Sequence, residues 1–159
     1  PSEISRQVYQ RRSMAALKLN SLVIDRMNLI CDGRAVISWV REKDFAELGA
    51  TKDDGESLID TIRQLDGIEV AVMLREQGPI VRGSIRSKTD RDVAAIAEKM
   101  NGGGHKAAAG FTIKGRLENA YDQVVDLLSE SFAQAPVARE TLDAEVTRTT
   151  VFRRIGEER

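Results

Sequence analysis

The chain has 159 residues, of which 42% are hydrophobic and 31% charged, so wholesale disorder is excluded and the length predicts one domain with an added arm or tail. A net charge of -1 excludes a uniformly basic binder of nucleic acid, and any anion has to be bound by a local site. One cysteine and one histidine exclude a disulfide framework and a metal cluster of thiolates and imidazoles.

Two helices and a tight turn are predicted in the first half of the chain. Residues 5–27 contain no glycine or proline and carry apolar residues at helical spacing, which predicts one long amphipathic helix. Asp32 and Gly33 then stand between two apolar runs, a pattern typical of a hairpin turn. The segment "ATKDDGESLIDTIRQLDG" has apolar residues on one helical face, acidic residues at its start and a glycine at its end, which predicts a second helix.

A hairpin is predicted in the middle of the chain. Residues 68–75 and 80–87 both alternate apolar residues with others, and a Gly-Pro pair separates them. This pattern predicts two antiparallel strands. In the second strand the alternation places Arg82, Ser84 and Arg86 on the face opposite to the apolar residues.

The last third of the chain combines helices with a final strand. "DVAAIAEKM" predicts a short helix, "HKAAAG" a second helical stretch, "GFTIKG" a strand and "LENAYDQVVDLLSESF" a helix. From Pro136 onward the sequence is polar and charged. Because strands and helices alternate, the predicted fold class is α/β, with a mixed, mainly antiparallel sheet flanked by helices and a helical arm at the N-terminus.

The run "NGGGHKAAAG" at residues 101–110 contains three consecutive glycines beside the single histidine. One interpretation is a helix end and a turn. The other is an anion site, because glycines expose backbone N–H groups and the start of a helix offers unpaired donors. An arginine at the end of the preceding strand is suited to a phosphate. The second interpretation predicts a phosphate site formed by Arg86, Ser87, Gly102, Gly103, Gly104, His105 and Lys106.

Two further features admit both a ligand role and a structural role. Trp39 could stack on a base, but its alternation with Ile37 favours packing in the core. Asp90 and Asp92 could suggest a metal, but hard cations need several converging oxygens, so capping of the following helix is the better interpretation.

The ordered series "SIRSK", "DVAAIAEKM" and "GGGHKAAAGFTI" closely resembles the DHHA1 domain, the C-terminal substrate-binding lobe of DHH-type phosphoesterases. The resemblance extends from about Tyr9 to about Leu128. It is strongest to the bacterial nanoRNases, which are oligoribonucleases and 3′-phosphoadenosine-5′-phosphate phosphatases. It implies a linker helix over residues 1–28, a DHHA1 domain that binds nucleotide and phosphate over 29–133, and a C-terminal tail over 134–159.

The resemblance also implies roles for residues. In the family, the glycine-histidine motif and the Arg-Ser strand end bind the terminal phosphate and sugar of a nucleotide, which implicates Arg86, the three glycines, His105 and Lys106. The family's other lobe carries an Asp-His-His motif and aspartates that hold two Mn²⁺ ions, and this sequence has neither that motif nor a second histidine. We therefore expect no catalytic residue, no metal ligand and no bound cofactor in this chain, with the Mn²⁺ ions in a separate DHH lobe.

On this resemblance the chain is the C-terminal lobe of a two-lobe hydrolase and is inactive alone, which agrees with a first residue that is not methionine. The expected partners are short RNA or a nucleotide and the DHH lobe, and a homodimer is compatible with the sequence. Three alternatives remain: a stand-alone regulatory nucleotide-binding module, the RNA-binding version of this domain in alanyl-tRNA synthetases, and a lobe of a single-strand exonuclease or cyclic-dinucleotide phosphodiesterase. Without a signal peptide or long apolar run, we expect a cytoplasmic protein that makes no membrane contact.

Overall fold

The structure, a computed structural model, describes residues 12–134. They form a single six-stranded sheet with helices on both faces. A 3₁₀ turn at Asp53–Gly55 lies between the second and third helices. The helices and strands in chain order are α1 (Met14–Asp25), β1 (Asn28–Ile30), β2 (Ala35–Val40), α2 (Glu42–Leu48), α3 (Leu58–Ile62), β3 (Val70–Gln77), β4 (Ile80–Ser87), α4 (Val93–Glu98), β5 (Gly103–His105), β6 (Ala108–Lys114) and α5 (Leu117–Gln134).

The sheet is mixed and mostly antiparallel. Its strand order is β1-β2-β3-β4-β6-β5, in which β2 and β3 run parallel and the other four neighbouring pairs run antiparallel. The predicted α/β class with flanking helices is therefore confirmed. The predicted hairpin of β3 and β4 is also confirmed, with a two-residue turn that makes Gln77 and Ile80 direct partners.

One face of the sheet packs against α4 and α5. Trp39 lies in this core with only 1% of its surface exposed, and the Tyr121 ring contacts it edge-on with 5.7 Å between the ring centroids. Phe111 and Leu128 complete the same layer from β6 and α5. The prediction that Trp39 packs in the core is confirmed.

The other face is covered over β1 to β3 by α1, α2 and α3. Leu19 and Val23 of α1 and Leu58 of α3 pack there against Val36 and Met73 of the sheet. On the same face Arg82, Gly110 and Thr112 are exposed. The described helices therefore leave most of this side of β4, β6 and β5 uncovered, and we call that surface the open face.

The predicted N-terminal helix is present over Met14–Asp25 as α1, with the Ser13 hydroxyl as its cap. Its predicted start at residue 5 lies outside the described residues. Leu17 and Ile24 are about half exposed, because Ala16, Leu19 and Val23 form the buried side of α1.

No helix in residues 12–134 combines the length and the apolar character that crossing a bilayer requires.

The prediction of a helical stretch at "HKAAAG" is wrong. His105 ends β5, Lys106 and Ala107 form a turn, and the following alanines begin β6. The reason is tertiary pairing: β6 pairs with β4 over seven positions and buries Ala109 together with Phe111. Such long-range pairing overrides the preference of alanine for helix.

Candidate phosphate-binding site

The first glycine of the run ends helix α4. Asn101 adopts a left-handed conformation with φ 57°, its N–H donates to the Glu98 carbonyl, and the Gly102 N–H donates to the Ala97 carbonyl at 2.9 Å. These bonds form a Schellman motif. A Cβ on Gly102 would lie 2.2 Å from the Gly110 carbonyl oxygen. Gly102 therefore has a structural role, and its N–H is already used.

The third glycine is also required by the fold. Gly104 has φ 149°, a conformation that residues with side chains rarely adopt. A Cβ there would lie 2.6 Å from both the Ala108 carbonyl oxygen and the Ala109 Cα. The close approach of β5 to β6 therefore excludes a side chain at this position.

The second glycine has no such explanation. Of the eleven glycines in residues 12–134, nine adopt a positive φ or would place a Cβ within 3.0 Å of another residue, and Gly103 and Gly110 do neither. A Cβ on Gly103 meets nothing within 4 Å, and one on Gly110 would lie 3.4 Å from the Gly83 carbonyl oxygen. These two residues are direct partners between β5 and β6. Glycine inside a strand costs about 0.5–1 kcal/mol relative to alanine, and it is often found where a ligand or another backbone approaches closely.

Strand register arranges the open face in three parallel rows. Residues that pair directly across strands carry their side chains on the same face. Neighbouring strands lie about 4.8 Å apart, and successive rows lie about 6.7 Å apart. The histidine row is His105, Ala108 and Arg86, the glycine row is Gly103, Gly110 and Ser84, and the arginine row is Thr112, Arg82 and Arg75. The glycine row therefore forms a low floor between two rows that carry long side chains.

The arginines of the open face differ from the others in their partners. Arg75, Arg82 and Arg86 form no ion pair with any residue between 12 and 134. Elsewhere in that range, beyond Arg12 at its start, the arginines pair with carboxylates: Arg26, Arg34, Arg41, Arg63, Arg91 and Arg116. The open face therefore carries positive charge that the described part of the chain does not neutralise.

The structure brings together some of the predicted site residues and not others. Arg86 and His105 share the histidine row, and the Arg86 Nη1 donates to the carbonyls of Ile85 at 3.0 Å and Ala109 at 3.4 Å. His105 is exposed on β5, an edge strand, which leaves alternate backbone groups without a partner in the sheet. The helix start that the sequence suggested at His105 is absent from the described residues, where this position belongs to β5.

Two predicted residues lie apart from this set. Ser87 follows Arg86 and points to the opposite side of the sheet, where its hydroxyl donates to the Thr89 carbonyl at 3.0 Å. Lys106 is exposed in the turn after β5, and its carbonyl accepts from the Val93 N–H at 2.9 Å. Both residues therefore form bonds with neighbouring segments of the chain. The roles of Ser87 and Lys106 in phosphate binding stay predictions.

The described residues do not fit a metal pair. Between residues 12 and 134 no three histidine, cysteine, aspartate or glutamate side chains converge as ligands. Asp92 caps α4, with its carboxylate accepting from the Ala95 N–H at 3.2 Å, which confirms the structural interpretation of this residue.

The predicted set of site residues did not include three residues of the open face: Arg75, Arg82 and Gly110. Arg75 is half-buried, and burial is the main cause that lowers the pKa of its guanidinium, followed by the neighbouring Arg82. The signal that could have found this pair is the two-residue turn, because it fixes Gln77 opposite Ile80 and hence Arg75 opposite Arg82.

This chain is similar to known proteins in both sequence and fold. The sequence matches the DHHA1 domain family over residues 32–134. The chain belongs to the DHHA1 family. The relatives include the bifunctional oligoribonuclease and PAP phosphatase NrnA of Thermus thermophilus, 37% identical over 90 residues that cover 56% of this chain and 28% of the relative. The protein of the same name from Bacillus subtilis is 29% identical over 112 residues, which cover 70% of this chain and 35% of the relative. The chain thus spans about a third of the length of these relatives.

Solved structures show the same DHHA1 fold. An exopolyphosphatase-related protein from Bacteroides fragilis superimposes with a TM-score of 0.73 at 22% identity, covering 84% of this chain and 38% of that one. A pGpG-specific phosphodiesterase, PggH from Vibrio cholerae, gives a TM-score of 0.55 at 13% identity, covering 76% of this chain and 40% of that one. At these identities the likeness concerns the fold. The relatives matched by sequence are named for oligoribonuclease and PAP phosphatase activities.

Proposed function

We propose that this DHHA1 domain binds the terminal phosphate and sugar of short RNA or of 3′-phosphoadenosine 5′-phosphate on its open face. In this role it is the substrate-binding lobe of a DHH phosphoesterase. The relatives NrnA of Thermus thermophilus and Bacillus subtilis are named for these two substrate classes.

The observation that carries the proposal is the glycine row. Gly103 and Gly110 lie side by side with no structural need for glycine, and together they clear a floor next to exposed backbone of an edge strand. A phosphate or ribose can approach such a backbone to hydrogen-bonding distance, which a pair of methyl groups would prevent.

The charges beside the floor support an anionic ligand. Arg86 and His105 stand in the adjoining row, about 10 Å apart across two strand spacings. Arginine donates in a planar fork that matches two phosphate oxygens, and exposed backbone N–H groups add further donors. Because Arg86 has no carboxylate partner among the described residues, its charge is available to a ligand.

We further propose that this chain positions the substrate and that bond cleavage belongs to the DHH lobe. Among residues 12–134 no group of side chains could serve as the ligand set for two Mn²⁺ ions. Fixing the end of a substrate makes the reaction effectively intramolecular, and this contribution needs no catalytic residue here.

The chain alone is therefore expected to release no mononucleotide from a 5′-phosphorylated dinucleotide with Mn²⁺. Chromatography of the incubated mixture measures the release. Metal-dependent release that follows this chain through every purification step would contradict the expectation.

Substitution of the two unexplained glycines tests the binding site. Gly103→Ala and Gly110→Ala should each weaken AMP binding about tenfold, the size of one lost hydrogen bond to a charged group. Neither change should lower stability, because alanine suits a strand better than glycine does. Chemical-shift titration with AMP measures the affinity, and thermal unfolding checks the fold.

Lys99→Met is the matched control for surface changes, because Lys99 is exposed on the helical side of the sheet near Glu130. AMP affinity should stay within about twofold of the unchanged chain, since this lysine lies away from the open face. If both alanine variants bind AMP as well as the control does, the glycine row is not the ligand floor.

A further inference from the structure

A second set of cations lies at the end of the open face. Arg75 of β3 and Arg82 of β4 pair directly in antiparallel register, so their side chains leave the sheet on the same side. Like charges in directly opposite positions destabilise a strand pair. Glu56 attracts Arg75 from a distance, but no carboxylate in residues 12–134 forms an ion pair with either arginine. A bound anion would relieve this repulsion.

A cleft of about 400 Å³ adjoins Arg75. Phe45 supplies an aromatic wall, and the exposed Lys52 adds a third positive charge at the cleft. Two carboxylates, Glu42 and Glu76, also line it.

These carboxylates have other partners. Glu76 pairs with Arg41 at 3.3 Å and accepts from the Glu42 N–H, while the Glu42 carboxylate accepts from the Gly78 N–H at 3.0 Å. Both acids therefore stabilise the start of α2 and the hairpin turn. The positive charges at Lys52, Arg75 and Arg82 remain without a carboxylate partner among the described residues.

The arginine pair is separate from the histidine row. Arg82 and Arg86 are four residues apart on one strand, which places their Cα atoms about 13 Å from each other. Ser84 of the glycine row lies between them. One phosphate cannot contact both rows over this distance, so a ligand with a phosphate at each row has more than one.

We propose that Arg75 and Arg82, with Lys52 beside them, form a second anion subsite, which binds a further phosphate of an oligonucleotide whose terminal phosphate lies at Arg86 and His105. This inference rests on the proposed function and deepens it, because it assigns a ligand with more than one phosphate. Two observations support this subsite: Arg75 and Arg82 lie directly opposite each other, and a cleft adjoins Arg75.

Binding of AMP, 3′-phosphoadenosine 5′-phosphate and a 5′-phosphorylated triadenylate to the full chain tests the subsite. Arg82→Met should weaken triadenylate binding about three- to tenfold and leave AMP binding within about twofold. For triadenylate binding by the Arg82→Met variant, the slope of log affinity against log salt concentration should become shallower by about 0.7. This is the value for one lost phosphate contact on a single strand. Arg82→Lys should restore part of both effects, and Lys99→Met should change neither.

The three ligands and the variants separate the possible outcomes. If Arg82→Met weakens binding of both 3′-phosphoadenosine 5′-phosphate and the triadenylate, the second phosphate lies one nucleotide away. If it weakens binding of the triadenylate alone, the second phosphate lies further along the strand, and both results support the subsite. Equal weakening of AMP and triadenylate binding, or no change in either, would overturn it. Arg86→Met is the complementary variant, because it should weaken AMP and triadenylate alike. If Arg86→Met has no effect while Arg82→Met does, the proposed function fails at the histidine row and the arginine pair stands as an independent site.

Discussion

Asp44→Ala is expected to lower the free energy of unfolding by about 3–5 kcal/mol. Asp44 is 3% exposed, and its carboxylate accepts from Arg26 Nη1 at 2.6 Å and Nη2 at 3.2 Å. It also accepts from the Arg41 N–H at 2.6 Å, and Arg26 in turn donates to the Trp39 carbonyl. Removing this carboxylate takes away both bonds that it accepts from the buried Arg26 guanidinium and opens the first turn of α2. Urea unfolding followed by circular dichroism measures the loss.

Asp60→Ala is the matched control for this prediction. Asp60 pairs with Arg63 at 3.2 Å on the surface of α3, where both side chains are about half exposed. Exposed pairs contribute less than about 1 kcal/mol, so this variant should unfold close to the unchanged chain. Similar small losses for both variants would show that the Asp44–Arg26 pair does not hold α1, β2 and α2 together.

Gly104→Ala is expected to destabilise the fold by about 2–4 kcal/mol, since a strained φ and an overpacked contact each contribute. The new methyl group would meet the Ala108 carbonyl oxygen and the Ala109 Cα at 2.6 Å, and both belong to the backbone of β6. Backbone atoms in a paired strand cannot move aside as a flexible side chain can. Chemical unfolding measures the change, with Gly103→Ala as the neighbouring control.

The two adjacent glycines therefore have opposite expected effects. Gly104→Ala should lose stability, and Gly103→Ala should keep it while losing ligand affinity. If Gly104→Ala is as stable as Gly103→Ala, the approach of β5 to β6 described above is wrong.

Much of the fold could be predicted because its signals are local. The alternation in residues 68–75 and 80–87 and the two-residue turn between them predict the hairpin that carries the arginines. A hairpin at Asp32 was also predicted, and β1 and β2 form it, but its loop has four residues because Ile30 pairs with Ala35. Cys31, Asp32 and Gly33 all have positive φ there, at 53°, 57° and 78°.

Other parts depend on contacts that the local sequence does not contain. The alanines after His105 favour a helix by propensity, but pairing with β4 makes them a strand. A signal for the strand existed in the alternation of Ala109, Phe111 and Ile113, which are buried, with exposed neighbours. Helix α2 was missed because it has only seven residues, although Asp44 at its third position and Gly49 after its end are typical boundary residues.

The candidate site was predicted only in part for the same reason. Sequence could select Arg86 and His105, but their distance depends on strand order, since β6 lies between β4 and β5. The different roles of the three consecutive glycines are also invisible in sequence, because they follow from which atoms a Cβ would meet.

Chemical-shift mapping of the full chain during titration with AMP shows directly whether the open face binds a nucleotide. We expect the largest shifts at Gly103, His105, Gly110 and Arg86, and small shifts on the helical side of the sheet. We expect the same residues to shift with a 5′-phosphorylated dinucleotide at lower ligand concentration. Shifts that cluster elsewhere and leave these four residues unchanged would show that the glycine run is a turn and that the open face is not the nucleotide site.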